Sequence, residues 1–169
     1  MHRPRGRWVI TMAYVDASFG QNKFNRKSHT GFILFVNRAP VMWYSKSQKT
    51  VETSAFSAEH IAVKTCAEAI EGLRFKLRMF GVPLCAPNSI EDESTYVLCD
   101  NETAVNNTNN MESQLNKKHS SIAYHFNRYC VAAGKISVAW IKSEENLADA
   151  LTKRLAEVKR TELFGDWTY

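Results

Sequence analysis

Trp8-Val9-Ile10-Thr11-Met12-Ala13-Tyr14-Val15-Asp16 is a run of β-branched and aromatic residues that closes on a carboxylate. Such a run reads as a strand, and the acid at its end makes it the stretch on which the fold turns. A carboxylate at the end of an apolar strand is costly to bury unless something positive neutralises it. Working outward, residues 29–36 and 41–46 read as two further strands, joined by a turn around Asn37-Arg38-Ala39-Pro40. Three consecutive strands with short connections predict an antiparallel meander.

The period changes after the meander. Ala58, Ala62, Cys66, Ala69, Leu73, Leu77 and Phe80 follow helical spacing over 54–80, and Gly81 with Pro83 supplies a stop. Residues 82–94, with Pro83, Pro87 and the acidic run Glu91-Asp92-Glu93, read as a polar loop. A short strand, 96–99, ends at Asp100, and 102–109 reads as a short helix. Ile122, Phe126, Tyr129 or Cys130, and Ala133 mark one face of a helix over 120–133. Residues 135–142 form a last strand, and a C-terminal helix is expected from near Glu145 to about Leu163, with 156–169 as its tail. The order β-β-β-α-β-α-α-β-α makes an α/β domain. Its expected sheet has five strands, three antiparallel and then parallel ones, with helices on both faces. Right-handed crossovers bring the first and fourth strand ends together, and with them Asp16 and Asp100.

Four acids carry the chemistry. Glu59 lies in the first turns of the long helix and Asp149 at the start of the last one. Two strand ends and two helix starts can converge on one point. There they would hold two divalent ions roughly 4 Å apart, as in nucleases and polymerases. Hard cations such as Mg2+ take oxygen ligands of this kind. Each acid alone has a plainer role. Asp16 would cap a turn with Ser18, Glu59 would sit on a helix surface, Asp100 would cap the short helix, and Asp149 would favour a helix N-terminus. The set of four is far more specific than any member. Tyr14-Val15-Asp16-Ala17 is also similar to the Tyr-x-Asp-Asp of polymerase palms, but it lacks the second Asp. The 169 residues leave no room for a polymerase.

The composition agrees with a nucleic-acid enzyme. The net charge is +5 and the pI near 9.1, with basic clusters at Arg3/Arg5/Arg7, Lys23/Arg26/Lys27, Arg74/Lys76/Arg78, Lys117/Lys118 and Lys153/Arg154/Lys159/Arg160. Several such clusters beside a carboxylate set favour a polyanionic substrate. No apolar run approaches the roughly 20 residues of a membrane span, and residues 1–7 lack the apolar stretch of a secretory signal. Cys66, Cys85, Cys99 and Cys130 are scattered, as in a reduced intracellular protein with core thiols.

These residues also resemble a known family. Tyr14-Val15-Asp16-Ala17-Ser18, Ser28-His29-Thr30-Gly31-Phe32 and Trp43-Tyr44-Ser45-Lys46-Ser47-Gln48 are similar to the ribonuclease H domain of copia-type LTR retrotransposon polyproteins. So are Ser57-Ala58-Glu59-His60-Ile61-Ala62, Asp100-Asn101-Glu102-Thr103-Ala104, Lys118-His119, His125-Phe126 and Ala148-Asp149-Ala150-Leu151-Thr152-Lys153. The resemblance covers about Val9 to Leu155. It implies a ribonuclease H-like fold and hydrolysis of the RNA strand of RNA–DNA hybrids during reverse transcription, leaving 5′-phosphate and 3′-hydroxyl ends. It implies two Mg2+ or Mn2+ ions, with Asp16, Glu59, Asp100 and Asp149 as the catalytic and metal-binding set. The implied partners are the hybrid and an upstream reverse transcriptase of the same polyprotein, in the cytoplasm within a virus-like particle, with the nucleus as a second compartment. The chain is then a single domain, 1–169, cut from a longer polyprotein, with 1–7 as a flexible basic lead. Two features depart from cellular ribonucleases H. The loop Lys142-Ser143-Glu144-Glu145-Asn146 has no histidine, as is common in copia-type domains, and 109–118 is short and only weakly basic where a hybrid-binding insertion often stands.

Recognition of the hybrid would fall to groups that read 2′-hydroxyls in its minor groove. The candidates are Ser18, Gln48, Thr53, Ser54 and Asn101, with Lys46, Lys117, Lys118 and His119 for phosphates. Trp8, Trp43, Trp140 and Phe126 are expected in the core, and His60 as a packed helix residue. Two other readings remain. One is a catalytically weak structural or hybrid-binding module that supports a reverse transcriptase or derives from one. The other is a different nuclease or an integrase of the same superfold.

Overall fold

In the computed structural model of the chain, the described residues are 8–20, 22, 24–87, 92–110 and 121–165. The β-branched runs form strands β1 (Val9–Ser18), β2 (His29–Val36) and β3 (Ala39–Ser47). They pair antiparallel, with Asp16 opposite Gly31 and Gly31 opposite Ser45. Helix α1 (Ala55–Met79) follows, then β4 (Leu84–Cys85), β5 (Thr95–Cys99), α2 (Glu102–Asn109), α3 (Ser121–Ala132) and β6 (Ile136–Trp140). A 3-10 turn (Ser143–Glu145), α4 (Asp149–Thr152) and α5 (Glu157–Phe164) complete the chain.

The main sheet order is β3-β2-β1-β5-β6, and β4 adds a sixth strand beside the start of β1. β5 runs parallel to both β1 and β6. Alternation along β1 divides its side chains between two faces. Ala13, Val15 and Ala17 join Phe32, Leu34 and the Ala58, Ala62, Cys66, Ile70 stripe of α1 in the core. Asp16 and Gly31 share the opposite face, where α4 sits. Helices thus lie on both faces. All four cysteines are free and buried.

Three expectations are corrected. The 82–94 segment is not wholly a polar loop. Leu84, Cys85 and Ala86 are buried, and β4 pairs with Val9 and Ile10. The buried Arg74 guanidinium anchors the far side of the segment, donating to the Glu93 carbonyl and to Thr95 Oγ1. The C-terminal helix is not continuous. Lys153 leaves α4 in an extended conformation, φ −128° and ψ 153°, and α5 starts only after Ala156. Trp8, Trp43 and Trp140 are not core residues, being 48%, 69% and 51% exposed. Trp43 lies on β3 and Trp140 ends β6, the two outer strands of the main sheet, where fewer neighbours cover a large ring. Phe126 does pack against the core.

Candidate active site

Val15 of β1 pairs with Cys99 of β5, so the next residue on each strand, Asp16 and Asp100, leave the sheet side by side. Asp149, the first residue of α4, approaches from the other direction. One carboxylate oxygen from each of Asp16, Asp100 and Asp149 lies within 4.8 Å of the others, and Asp16 and Asp149 are 2% and 3% exposed. Glu59, 5% exposed in the second turn of α1, stands beside this group but outside the 4.8 Å set.

Burial and neighbouring acids raise the proton affinity of two of these groups, Glu59 and Asp16. Burial, followed by the charges of Asp16 and Asp100, holds the Glu59 carboxyl well above the usual carboxylate range, against Lys153 and the Ala17 N–H. The thiol of Cys99 lies 3.9 Å from Glu59 Oε2 and donates to it. Asp16 is also raised, mainly by burial, with the Thr152 hydroxyl and Lys153 opposing. A closely spaced cluster of carboxylate oxygens fits a hard divalent cation.

The sequence motif around Asp149 does more than supply that acid. Thr152 donates a hydrogen bond to Asp16 Oδ2 across 136 residues of sequence. Lys153 Nζ lies 2.7 Å from Asp149 Oδ1 and 3.6 Å from Asp16 Oδ1, and Lys159 Nζ lies 3.3 Å from Asp149 Oδ2. Burial pulls the Lys153 ammonium down, but its hydrogen bond to Asp149 and the charge of Asp16 outweigh this, and its pKa is raised. Ser143 Oγ donates to Asp100 Oδ2 at 2.8 Å, and the indole of Trp140 donates to the Asp100 carbonyl at 3.2 Å. Fully buried Asn146 ties the loop before α4 to β1 by donating to the Val15 carbonyl at 3.0 Å. None of these supporting roles was assigned from residue type or spacing. The only signal was that Thr152 and Lys153 belong to the motif shared with the retrotransposon domains.

The other sequence-derived candidates divide. Ser18 is buried at the end of β1, opposite His29. Gln48 is buried and donates to Thr30 Oγ1 and the Ala58 carbonyl, bracing the start of α1 beside Glu59. Ser54 caps α1 by accepting from the Ser57 N–H, and Asn101 caps α2 by accepting from the Ala104 N–H. Lys46 is exposed on β3, 5.5 Å from the Tyr44 ring centre. Lys117, Lys118 and His119 lie outside the described residues. His60 is fully buried against Phe56, Tyr124 and Asn127.

The same architecture occurs in solved ribonuclease H structures. The N-terminal RNase H domain of Rv2228c from Mycobacterium tuberculosis matches with a TM-score of 0.60 at 11% identity, covering 91% of this chain and 98% of that one. LC11-RNase H1, isolated from compost by a metagenomic approach and solved in complex with RNA/DNA hybrid, matches with a TM-score of 0.54 at 19% identity, covering 83% and 92%. In sequence, the retrovirus-related Pol polyprotein from transposon RE1 of Arabidopsis thaliana is 30% identical over 152 residues, 90% of this chain. The chain has a ribonuclease H-like fold and is similar in sequence to part of transposon Pol polyproteins. It spans 10% of the length of that relative. No family model matches it. Among the described residues, no helix of this ribonuclease H-like domain is long and apolar enough to cross a membrane.

Proposed function

We propose that this domain hydrolyses the RNA strand of RNA–DNA hybrids, with two Mg2+ or Mn2+ ions held by Asp16, Glu59, Asp100 and Asp149. The observation that carries the reading is the convergence of three carboxylates within 4.8 Å at the C-terminal ends of β1 and β5 in a ribonuclease H fold. Divalent ions there would supply an activated water and charge stabilisation for the leaving oxygen, with no protein nucleophile required. The protein's part is to pre-position oxygens. Thr152 orients Asp16, Ser143 orients Asp100, and the Ala17 N–H and Cys99 orient Glu59. Lys153 and Lys159 neutralise Asp149 until the site is loaded.

Ser18 and Asn101 follow Asp16 and Asp100 closely in the chain, and with Gln48 and Ser54 they are proposed to shape the surface that reads 2′-hydroxyls. Gln48, Ser54 and Asn101 would do so through the backbone they brace, and Lys46, Lys118 and His119 would contact phosphates. The similarity to part of a Pol polyprotein supports a reverse transcriptase in the same polyprotein as partner, with removal of the RNA template as the task.

A second reading, a hybrid-binding module without catalysis, is favoured by one observation: lysine ammonium groups already lie against both Asp149 oxygens. Cleavage of an end-labelled hybrid in Mg2+ or Mn2+ by the wild type and Asp100→Asn separates the two. Duplex RNA and duplex DNA serve as controls. Hybrid-specific cutting that Asp100→Asn abolishes supports the nuclease. Binding without cutting in either metal supports the module.

A further inference from the structure

The turn between β1 and β2 takes no part in the acidic site. Ser18 pairs with His29 and closes it, so the turn projects from the sheet end that carries Asp16, two residues farther along β1. Asn22 organises the tip. Its side-chain oxygen accepts from the backbone N–H of Phe24 at 2.9 Å and of Asn25 at 3.2 Å, and its carbonyl accepts from the Arg26 N–H at 2.8 Å. Asn25 in turn accepts from the Lys27 N–H at 3.0 Å. Arg26 takes a left-handed φ of 58° to complete the reversal. The turn so built holds the Phe24 ring 101% exposed, more than any other large apolar side chain among the described residues. Arg26 and Lys27, close by in the chain, make no salt bridge among the described residues. The stretch 19–28 contains three basic residues and no acid.

We propose that this turn is a stacking site for an unpaired nucleobase of single-stranded nucleic acid, with Phe24 against the base and Arg26 and Lys27 against the phosphates beside it. A ring left wholly in water, next to cations that no acid neutralises, matches a ligand in which flat apolar faces alternate with negative charges. Every base has such a face, and an aromatic side chain stacks on it whatever the sequence. In the interior of a duplex those faces are covered by the neighbouring pairs, so the ring meets only bases that are splayed out or unpaired. An arginine fork matches a phosphodiester with two parallel hydrogen bonds, while a lysine contributes a point charge. A protein surface fits less well, because one ring among cations offers little contiguous apolar area. Phe24, Arg26 and Lys27 are distinct from the four acids, and neither a metal ion nor cleavage enters into their role.

The test is fluorescence-anisotropy binding, in EDTA, of a labelled oligoadenylate of about 12 nucleotides in RNA and DNA forms, with an abasic DNA strand of the same length as control. Phe24→Ala is expected to weaken binding of both base-bearing strands about tenfold. It should leave the slope of log K against log salt unchanged, because a neutral ring neutralises no phosphate. Phe24→Trp should bind at least as tightly as the wild type, and the abasic strand should bind the wild type and Phe24→Ala alike. Arg26→Gln plus Lys27→Gln should make the slope shallower by about 1.4. The melting temperature of Phe24→Ala should match the wild type, since the ring lies in water. Wild-type affinity in Phe24→Ala overturns the proposal, as does a wild type that binds neither base-bearing strand. An equal loss on the abasic strand also overturns it, by making Phe24 a support for the cations. So does a loss confined to the RNA strand, which would mark the 2′-hydroxyl as the group recognised. The nuclease reading is decided separately by hybrid cleavage, which EDTA keeps out of this measurement.

Discussion

A methyl group on Gly31 would stand 2.7 Å from Thr152 Cγ2 and 2.8 Å from Leu151 Cβ, closer than side-chain carbons approach. Gly31 is paired with Asp16, so the bare backbone at this position lets α4 settle onto the sheet and brings the Thr152 hydroxyl to the Asp16 carboxylate.

Gly31→Ala should therefore act on both stability and chemistry. Overpacking of this kind costs about 1–3 kcal/mol, which lowers the Tm of a domain this size by roughly 2–10 °C. Because α4 carries Asp149, hybrid cleavage should fall further than the stability loss explains. Gly72→Ala is the control. It lies inside α1, where an added Cβ meets nothing within 4 Å, and should stabilise by about 0.5–1 kcal/mol. Thermal melts and cleavage rates on both variants check the pair.

Lys153 lies between Asp16 and Asp149, where a divalent ion would compete with it. Lys153→Met should lower the melting temperature in EDTA, since it leaves buried carboxylates facing each other. It should also tighten Mn2+ binding, because the ion no longer displaces an ammonium. Calorimetric titration with Mn2+ and melts with and without metal read the two effects separately. An unchanged Mn2+ affinity would show that Lys153 does not compete for the site.

Two buried groups give the metal-free protein opposing pH dependences. Burial pushes the His60 imidazole from 6.5 down to about 4, so between those values the unfolded chain binds a proton that the native state refuses. Stability through His60 is lost as pH falls across that interval, and His60→Gln should flatten this limb. Glu59 has the opposite sign. Its carboxyl is held well above 4.5, so the native state binds the extra proton and stability declines as pH rises from about 4.5 through the raised value. Glu59→Gln should remove that decline. Denaturant titrations of the three proteins between pH 4 and 8 resolve the two contributions.

The thiols offer a check on the core. Cys66, Cys85, Cys99 and Cys130 are all buried, and burial raises Cys66 and Cys99 well above the ordinary thiol range. A disulfide reagent at pH 8 should therefore label none of the four in the native protein within minutes, and all four after denaturation. Rapid labelling of Cys99 would mean that the floor beneath Glu59 opens.

Much of the architecture was already present in residue order. The β-branched run of β2 reads as a strand over 29–36, the bounds it has in the fold, and the helical spacing of 54–80 covers α1 to within a residue at each end. Asp16 and Asp100 could be placed at neighbouring strand ends because period and order suffice to predict a parallel pairing of β1 with β5. These signals are local. A strand or helix shows its buried face through the spacing of its own residues.

Tertiary structure alone decided the rest. β4 is two residues long, too short to carry a period, and exists because Leu84 and Cys85 meet Val9 and Ile10. The exposure of Trp43 and Trp140 follows from their strands being the outer ones, which depends on the order of the whole sheet. The contacts of Thr152, Lys153 and Ser143 with the acids join elements distant in sequence, and Gly31 is needed only because α4 passes over it. Hydrophobic spacing records which face of an element is buried, but a hydrogen bond or an ion pair depends on which atoms the folded chain brings within about 3 Å.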